Sequence, residues 1–147
     1  MDKRTTQIIN TFMDSQRIKD FFLHDEFART SGIKLVEVRE GYARTQVTIE
    51  PRHLNAGGGV QGGLLFTLAD LAFAAATNSH GTLTVTTSAN ITFLRGTSGG
   101  TITAEATEIV NHHRLPFVEV RITDEEGNLL ALFTSSGYRK EGVLLPF

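Results

Sequence analysis

The chain has 147 residues, no cysteine, a hydrophobic fraction of 40%, a charged fraction of 20% and a formal net charge of -2. Its length suffices for one domain with a real core, and its composition is that of an ordinary soluble globular protein. Disulfides, thiolate catalysis and Cys-ligated metals are excluded, and the charge gives no ground for a nucleic-acid partner.

The start, Met1-Asp2-Lys3-Arg4-Thr5, is polar and no apolar signal core follows it. The longest apolar run, Leu68 to Ala76, is broken by Asp70 and too short to span a bilayer. A cytoplasmic location without a membrane partner is expected. Residues 5–15 read as a helix, with Ile8/Phe12 and Ile9/Met13 at i, i+4 spacing. Phe21, Phe22 and Phe27 are expected to dock this arm, residues 1–30, on the body. From Gly32 the period changes to two. Ile33-Leu35 and Ala43-Thr45-Val47-Ile49 read as strands turning at Glu40-Gly41.

A glycine-rich loop then leads into a helix from about Gln61 to Ser79, apolar on nearly all faces and therefore central and buried. His80-Gly81 ends it. Leu83-Val85-Thr87-Ala89-Ile91-Phe93 and Ile102-Ala104-Ala106 alternate strictly. Val118-Val120-Ile122, a turn at Asp124-Glu125-Glu126-Gly127, and Leu129-Ala131-Phe133-Ser135 make a last hairpin. No linker or repeat divides residues 1–147, so one α+β domain is expected: an antiparallel sheet wrapped on one helix, with sheet edges that suggest an oligomer.

Asp70 is the one charge inside the long apolar helix. Burying an unpaired carboxylate costs several kcal/mol, and chemistry that needs a desolvated base or nucleophile would justify the cost. The plainer reading is a solvent-facing residue, or a carboxylate satisfied by the Thr67 hydroxyl. Asn55 reads plainly as a turn residue bonding its own backbone, and Gly57-Gly58-Gly59 as loop flexibility.

The stretches His53-Leu54-Asn55, Gln61-Gly62-Gly63 and Leu65-Phe66-Thr67-Leu68-Ala69-Asp70-Leu71-Ala72-Phe73 carry a resemblance, supported by Asn90-Ile91-Thr92-Phe93-Leu94-Arg95 and by residues 118–127. Over roughly residues 30–140 the chain resembles hotdog-fold acyl-CoA thioesterases of the phenylacetate-degradation (PaaI-like) type. The resemblance implies a hotdog fold, a homodimer or homotetramer, and active sites at the dimer interface. It implies a catalytic role for the Asp70 carboxylate, for the Gly62 N–H as donor to the thioester carbonyl, and for Asn55 in orienting water or the carboxylate. Gln61 stands where the family usually has histidine; it keeps hydrogen-bonding capacity and loses a group that titrates near neutral pH. Gln61 and Gly63 then line the substrate, and Ser88 and Asn90 flank the pantetheine arm. Arg95, Arg114 and Arg121 are candidates for the CoA phosphates, since the guanidinium fork suits phosphate; each also reads as solvated surface. CoA is part of the substrate, and neither a further cofactor nor a metal is expected.

Chemistry points the same way. A glycine in the first helical turn leaves its N–H free, and the helix dipole adds positive potential there. Asp70 lies eight residues beyond Gly62, a rise of about 12 Å, too far for both to act on one carbonyl within one subunit. That favours pairing Asp70 with a partner's Gly62. Asp70 can attack the carbonyl or activate water. Two other classes stay open: an acyl-CoA binding protein without turnover, and a hydroxyacyl-thioester dehydratase using His53. Phe73, Ala74 and Thr77, about one turn past Asp70, are candidate walls of the acyl pocket.

Three formal matches fail on context. Gly57-Gly58-Gly59-Val60-Gln61-Gly62 fits G-x-G-x-x-G without a βαβ unit. Gly96-Thr97-Ser98-Gly99-Gly100 fits G-x-S-x-G between two strands, where a nucleophile elbow needs a following helix. The adjacent His112 and His113 would point apart on a strand and lack metal spacing.

Overall fold

The computed structural model describes residues 15–144. The expected helix over residues 5–15 lies outside the described residues except at its end. Helix α1 covers residues 15–22, followed by α2 (Glu26–Thr30), β1 (Lys34–Arg39), β2 (Tyr42–Thr48), a 3-10 turn (Pro51–His53) and α3 (Gly62–Asn78). Four strands complete the chain: β3 (Thr82–Phe93), β4 (Thr101–Val110), β5 (Phe117–Thr123) and β6 (Leu129–Leu144). They form one six-stranded antiparallel sheet of order β1-β2-β4-β5-β6-β3, and α3 packs across one face. This is the hotdog arrangement.

Small residues let the helix approach the sheet. Ala69, Ala72, Ala75 and Ala76 of α3, and Ala43, Ala104 and Ala106 of β2 and β4, are fully buried. Phe73, Leu68, Ile102, Val118, Val120, Ile122 and Phe133 fill the remaining core. The Thr45 hydroxyl donates to the Leu68 carbonyl at 2.8 Å and ties β2 to the middle of α3. At the far end, Gly81 takes φ +81°, a left-handed conformation glycine adopts without strain, and its N–H returns to the Asn78 carbonyl.

Several expectations need correction. Phe21 and Phe22 pack on the core, but Phe27 is 70% exposed and does not dock the arm. The strict alternation of β3 slips at Thr87: the β3–β6 register shifts between Thr86 and Ser88, so Thr86 faces α3 before the slip and Ala89, Ile91 and Phe93 face it afterwards. Strand β6 runs nine residues past Ser135, through a glycine and a charged stretch that hid its period. Helix α3 is not covered on every face. Gly63, Phe66, Thr67, Asp70 and Ala74 keep exposure, a stripe at helical spacing that runs from the N-terminus past the carboxylate.

Candidate active site

The loop before α3 is built by Asn55. Its Oδ1 accepts from the N–H groups of Gly57 (2.9 Å) and Gly59 (3.2 Å), and its own N–H donates to the Gly59 carbonyl at 2.7 Å. The plainer reading of Asn55 therefore describes its oxygen; its Nδ2 faces Gly59 without a recorded acceptor among the described residues. Gly58, at φ +83°, completes the tight loop. The Val60 N–H donates to the Thr97 carbonyl, so the β3–β4 connection braces it.

His53 anchors the same loop. Its Nδ1 accepts from the Glu50 N–H at 2.9 Å, and its Nε2 lies 2.8 Å from the Ser31 carbonyl, which fixes Nε2 as the donor. Both ring nitrogens are engaged and the residue is 5% exposed. His53 is thus a structural pin between α2 and the loop, and its geometry speaks against a dehydratase acid–base role. Its carbonyl accepts from the Gln61 N–H at 2.9 Å and so sets where α3 begins.

Gln61 is the N-cap of α3, in an extended conformation and without a side-chain cap hydrogen bond. The N–H groups of Gly62 and Gly63 in the first turn thus point from an uncapped helix end, an electropositive donor pair. The ring of Phe93 lies against Gly62. On the other side, Gln61, Gly63, Leu64 and Thr67 share a cavity of about 470 Å³ with Phe27 and Arg52.

Asp70 sits on the exposed stripe, partly buried. Its Oδ1 accepts from the Thr86 hydroxyl at 3.3 Å. Thr67 is not its partner, because the Thr67 hydroxyl donates back to the Gly63 carbonyl at 2.9 Å. Burial raises the Asp70 carboxyl above the usual carboxylate range; the Thr86 hydrogen bond pulls it down, and the charge of Asp25 adds to the rise. A desolvated carboxylate with a raised pKa fits a base or nucleophile. Of the suggested acyl-pocket walls, Phe73 and Thr77 are sealed in the core, and Ala74 alone keeps exposure.

The remaining candidates lie away from the Gly62–Asp70 stripe, and Ser88, Asn90 and Arg121 share the outer face of the sheet. Ser88 and Asn90 point to the sheet face opposite α3, where Ser88 Oγ donates to Ser136 Oγ at 3.4 Å. Arg121 lies on β5, 3.9 Å from Glu119. Arg114 is held by Glu141 at 2.6 Å and by the Tyr138 hydroxyl at 3.3 Å. Arg95 follows the opposite end of β3. Among the described residues, no group of three His, Cys, Asp or Glu could hold a metal ion, and no helix is long and apolar enough to cross a membrane.

Sequence reading missed Thr86 and Phe93. Each is a common strand residue, and only the register of β3 aims them at α3.

The thioesterase superfamily model matches residues 57–131. The acyl-coenzyme A thioesterase PaaI of Escherichia coli is 32% identical over 88% of this chain and 93% of its own length. A putative esterase of Archaeoglobus fulgidus is 32% identical over 84% of this chain and 82% of its own length. The solved structure of the E. coli PaaI protein, from the phenylacetic acid degradation operon, superposes with a TM-score of 0.83 at 31% identity, covering 88% of this chain and 95% of that one. On this match over half of its length and this likeness to relatives over most of it, the chain belongs to the thioesterase superfamily and has its hotdog fold.

Proposed function

We propose that the chain is a hydrolase that cleaves an acyl-CoA to a free acid and CoA. The observation that carries this is Asp70: a half-buried carboxylate with a raised pKa, on the same open stripe of α3 as an uncapped pair of N–H donors. The thioester carbonyl accepts from the Gly62 N–H, which stabilises negative charge as it develops on oxygen. Asp70 either takes a proton from the attacking water or attacks the carbonyl itself, giving an anhydride that water then opens. The thiolate of CoA leaves in both routes.

One helix cannot bring Gly62 and Asp70 to the same carbonyl, so each site draws them from two subunits. Strand β3 supports this: it is a sheet edge, twelve residues long, and Val85–Asn90 are exposed on both faces. A long unprotected edge of this kind suits pairing with a second copy. A homodimer is the minimum assembly and a homotetramer the larger form. Asn55 shapes the donor loop and offers its Nδ2 to substrate or water, while Gln61 and Gly63 line the entrance. Ser88, Asn90, Arg95, Arg114 and Arg121 are assigned to CoA; Ser88, Asn90 and Arg121 share the sheet face opposite α3. The cysteine-free composition fits cytoplasmic work.

The test is thiol release from a panel of aromatic and straight-chain acyl-CoAs, with wild type beside Asp70→Asn. Turnover that collapses in the variant supports the proposal. Saturable binding by both proteins without turnover selects the binding-protein reading, which Gln61 in place of a titrating residue keeps in view.

A further inference from the structure

A Cβ built at Gly62 would lie 2.9 Å from Cζ of Phe93 and 3.2 and 3.4 Å from its two Cε atoms. Real Cβ atoms essentially never approach within 3.0 Å, so a side chain at position 62 would push the ring aside. Gly62 is not among the glycines with positive φ, so its backbone conformation does not call for glycine. The ring does. Phe93 ends β3 and is 54% exposed, so it stands at the mouth of the helix end and not in the core. The slip at Thr87 is what aims it there, by returning the last part of β3 to the α3 side.

We propose that Phe93 is a positioning residue for thioester cleavage: its ring covers the Gly62 end of α3, keeps water from the Gly62 N–H, and holds that place only while position 62 carries no side chain. A donor shielded from water stabilises a developing oxyanion more than a solvated one. The proposal rests on the Gly62 N–H being the carbonyl's donor.

The test is a double-mutant cycle on the full chain with Gly62→Ala, Phe93→Ala and the pair, plus Phe93→Leu as the conservative variant. Alanine keeps the N–H at position 62, so it acts by displacing the ring. Each alanine variant should lower kcat by about tenfold or more with little change in KM, and the pair should be no worse than Phe93→Ala alone. Phe93→Leu, which restores an apolar cover, should recover part of kcat. In thermal melts Gly62→Ala should lower Tm in the wild-type background and not in Phe93→Ala. Unaltered kcat in Phe93→Ala, or an equal cost of Gly62→Ala in both backgrounds, overturns the role of Phe93 and leaves the thioesterase reading intact. Absence of wild-type turnover with every acyl-CoA overturns both.

Discussion

Thr86, on the sheet edge, donates its hydroxyl hydrogen to the Asp70 carboxylate at 3.3 Å. The contact crosses from β3 to α3 and makes the helix carboxylate answer to the strand. It works against the burial that raises the Asp70 carboxyl, because a hydrogen bond to the ionised form favours ionisation.

Activity should therefore rise with pH through an acid limb above the ordinary aspartate value of 3.8. The carboxylate is the working form in either route, so protonation removes it. Thr86→Val removes a contact that lowers the pKa, so the limb should move to still higher pH. The check is kcat/KM against pH for both proteins. A limb that stays in place in the variant would separate Thr86 from the carboxylate's titration.

Asp70→Asn should cut kcat by about 10²–10⁴-fold while making the fold more stable at neutral pH. The sign follows from linkage. A carboxyl whose folded pKa is raised binds more protons folded than unfolded, so stability falls as pH rises from the unfolded pKa through the folded one. The amide escapes that cost. Melting temperatures of the two proteins should converge below the unfolded value and separate above it.

Subunit mixing tests the shared site. Gly62→Pro removes the donor N–H at the first helical position, where the proline backbone is tolerated and the extended Gln61 before it suits a following proline; its Cβ also displaces the Phe93 ring, so the variant loses the donor and its cover together. Asp70→Asn and Gly62→Pro should each be inactive alone. Mixed and reassociated in equal amounts, they should recover about a quarter of wild-type activity, because half the dimers then hold one intact site of two. A mixture that stays inactive while heterodimers form would place Gly62 and Asp70 of one chain in one site.

Far from the chemistry, Glu108 is held between His80 at 2.8 Å and Arg139 at 3.4 Å, with both Glu108 and Arg139 side chains nearly buried. Arg139 also donates to Asn111 Oδ1 and the His112 carbonyl, while its buried Nε has no partner. Glu108→Gln leaves a buried guanidinium without its counter-charge and should cost about 3–5 kcal/mol. Urea denaturation with an unchanged m-value is the measurement.

His53→Ala strips partners from the Glu50 N–H and the Ser31 carbonyl and should destabilise by about 1–3 kcal/mol. The shape of the pH–rate profile should not change. Loss of one limb in a folded variant would instead give this imidazole a part in proton transfer.

Periodicity made the sheet, the buried helix and the β1–β2 turn legible, and α3 begins and ends within a residue of its sequence reading. The lone charge of Asp70 in an apolar helix marked the candidate site. The slip at Thr87 was not legible, because Thr86 and Ser88 on its two sides suit either face of a strand. The partners Thr86 and Phe93 were lost with it. Phe27 misled because an aromatic in an amphipathic arm reads as an anchor, whereas here it overhangs a cavity. The arginines could not be gathered, since nothing local says which ends of which strands meet.

The alanines between α3 and the sheet act as a ruler. Ala69, Ala72, Ala43 and Ala104 are fully buried, and their size sets how high the helix rides above the central strands. The Thr86–Asp70 hydrogen bond and the Phe93–Gly62 contact join the same helix to β3, at the edge of that sheet. One extra methyl in this layer would lengthen the two together. The separations at the candidate site are thus written in the smallest, most hidden side chains, and tuning them by mutation at the mouth alone would leave the larger lever untouched.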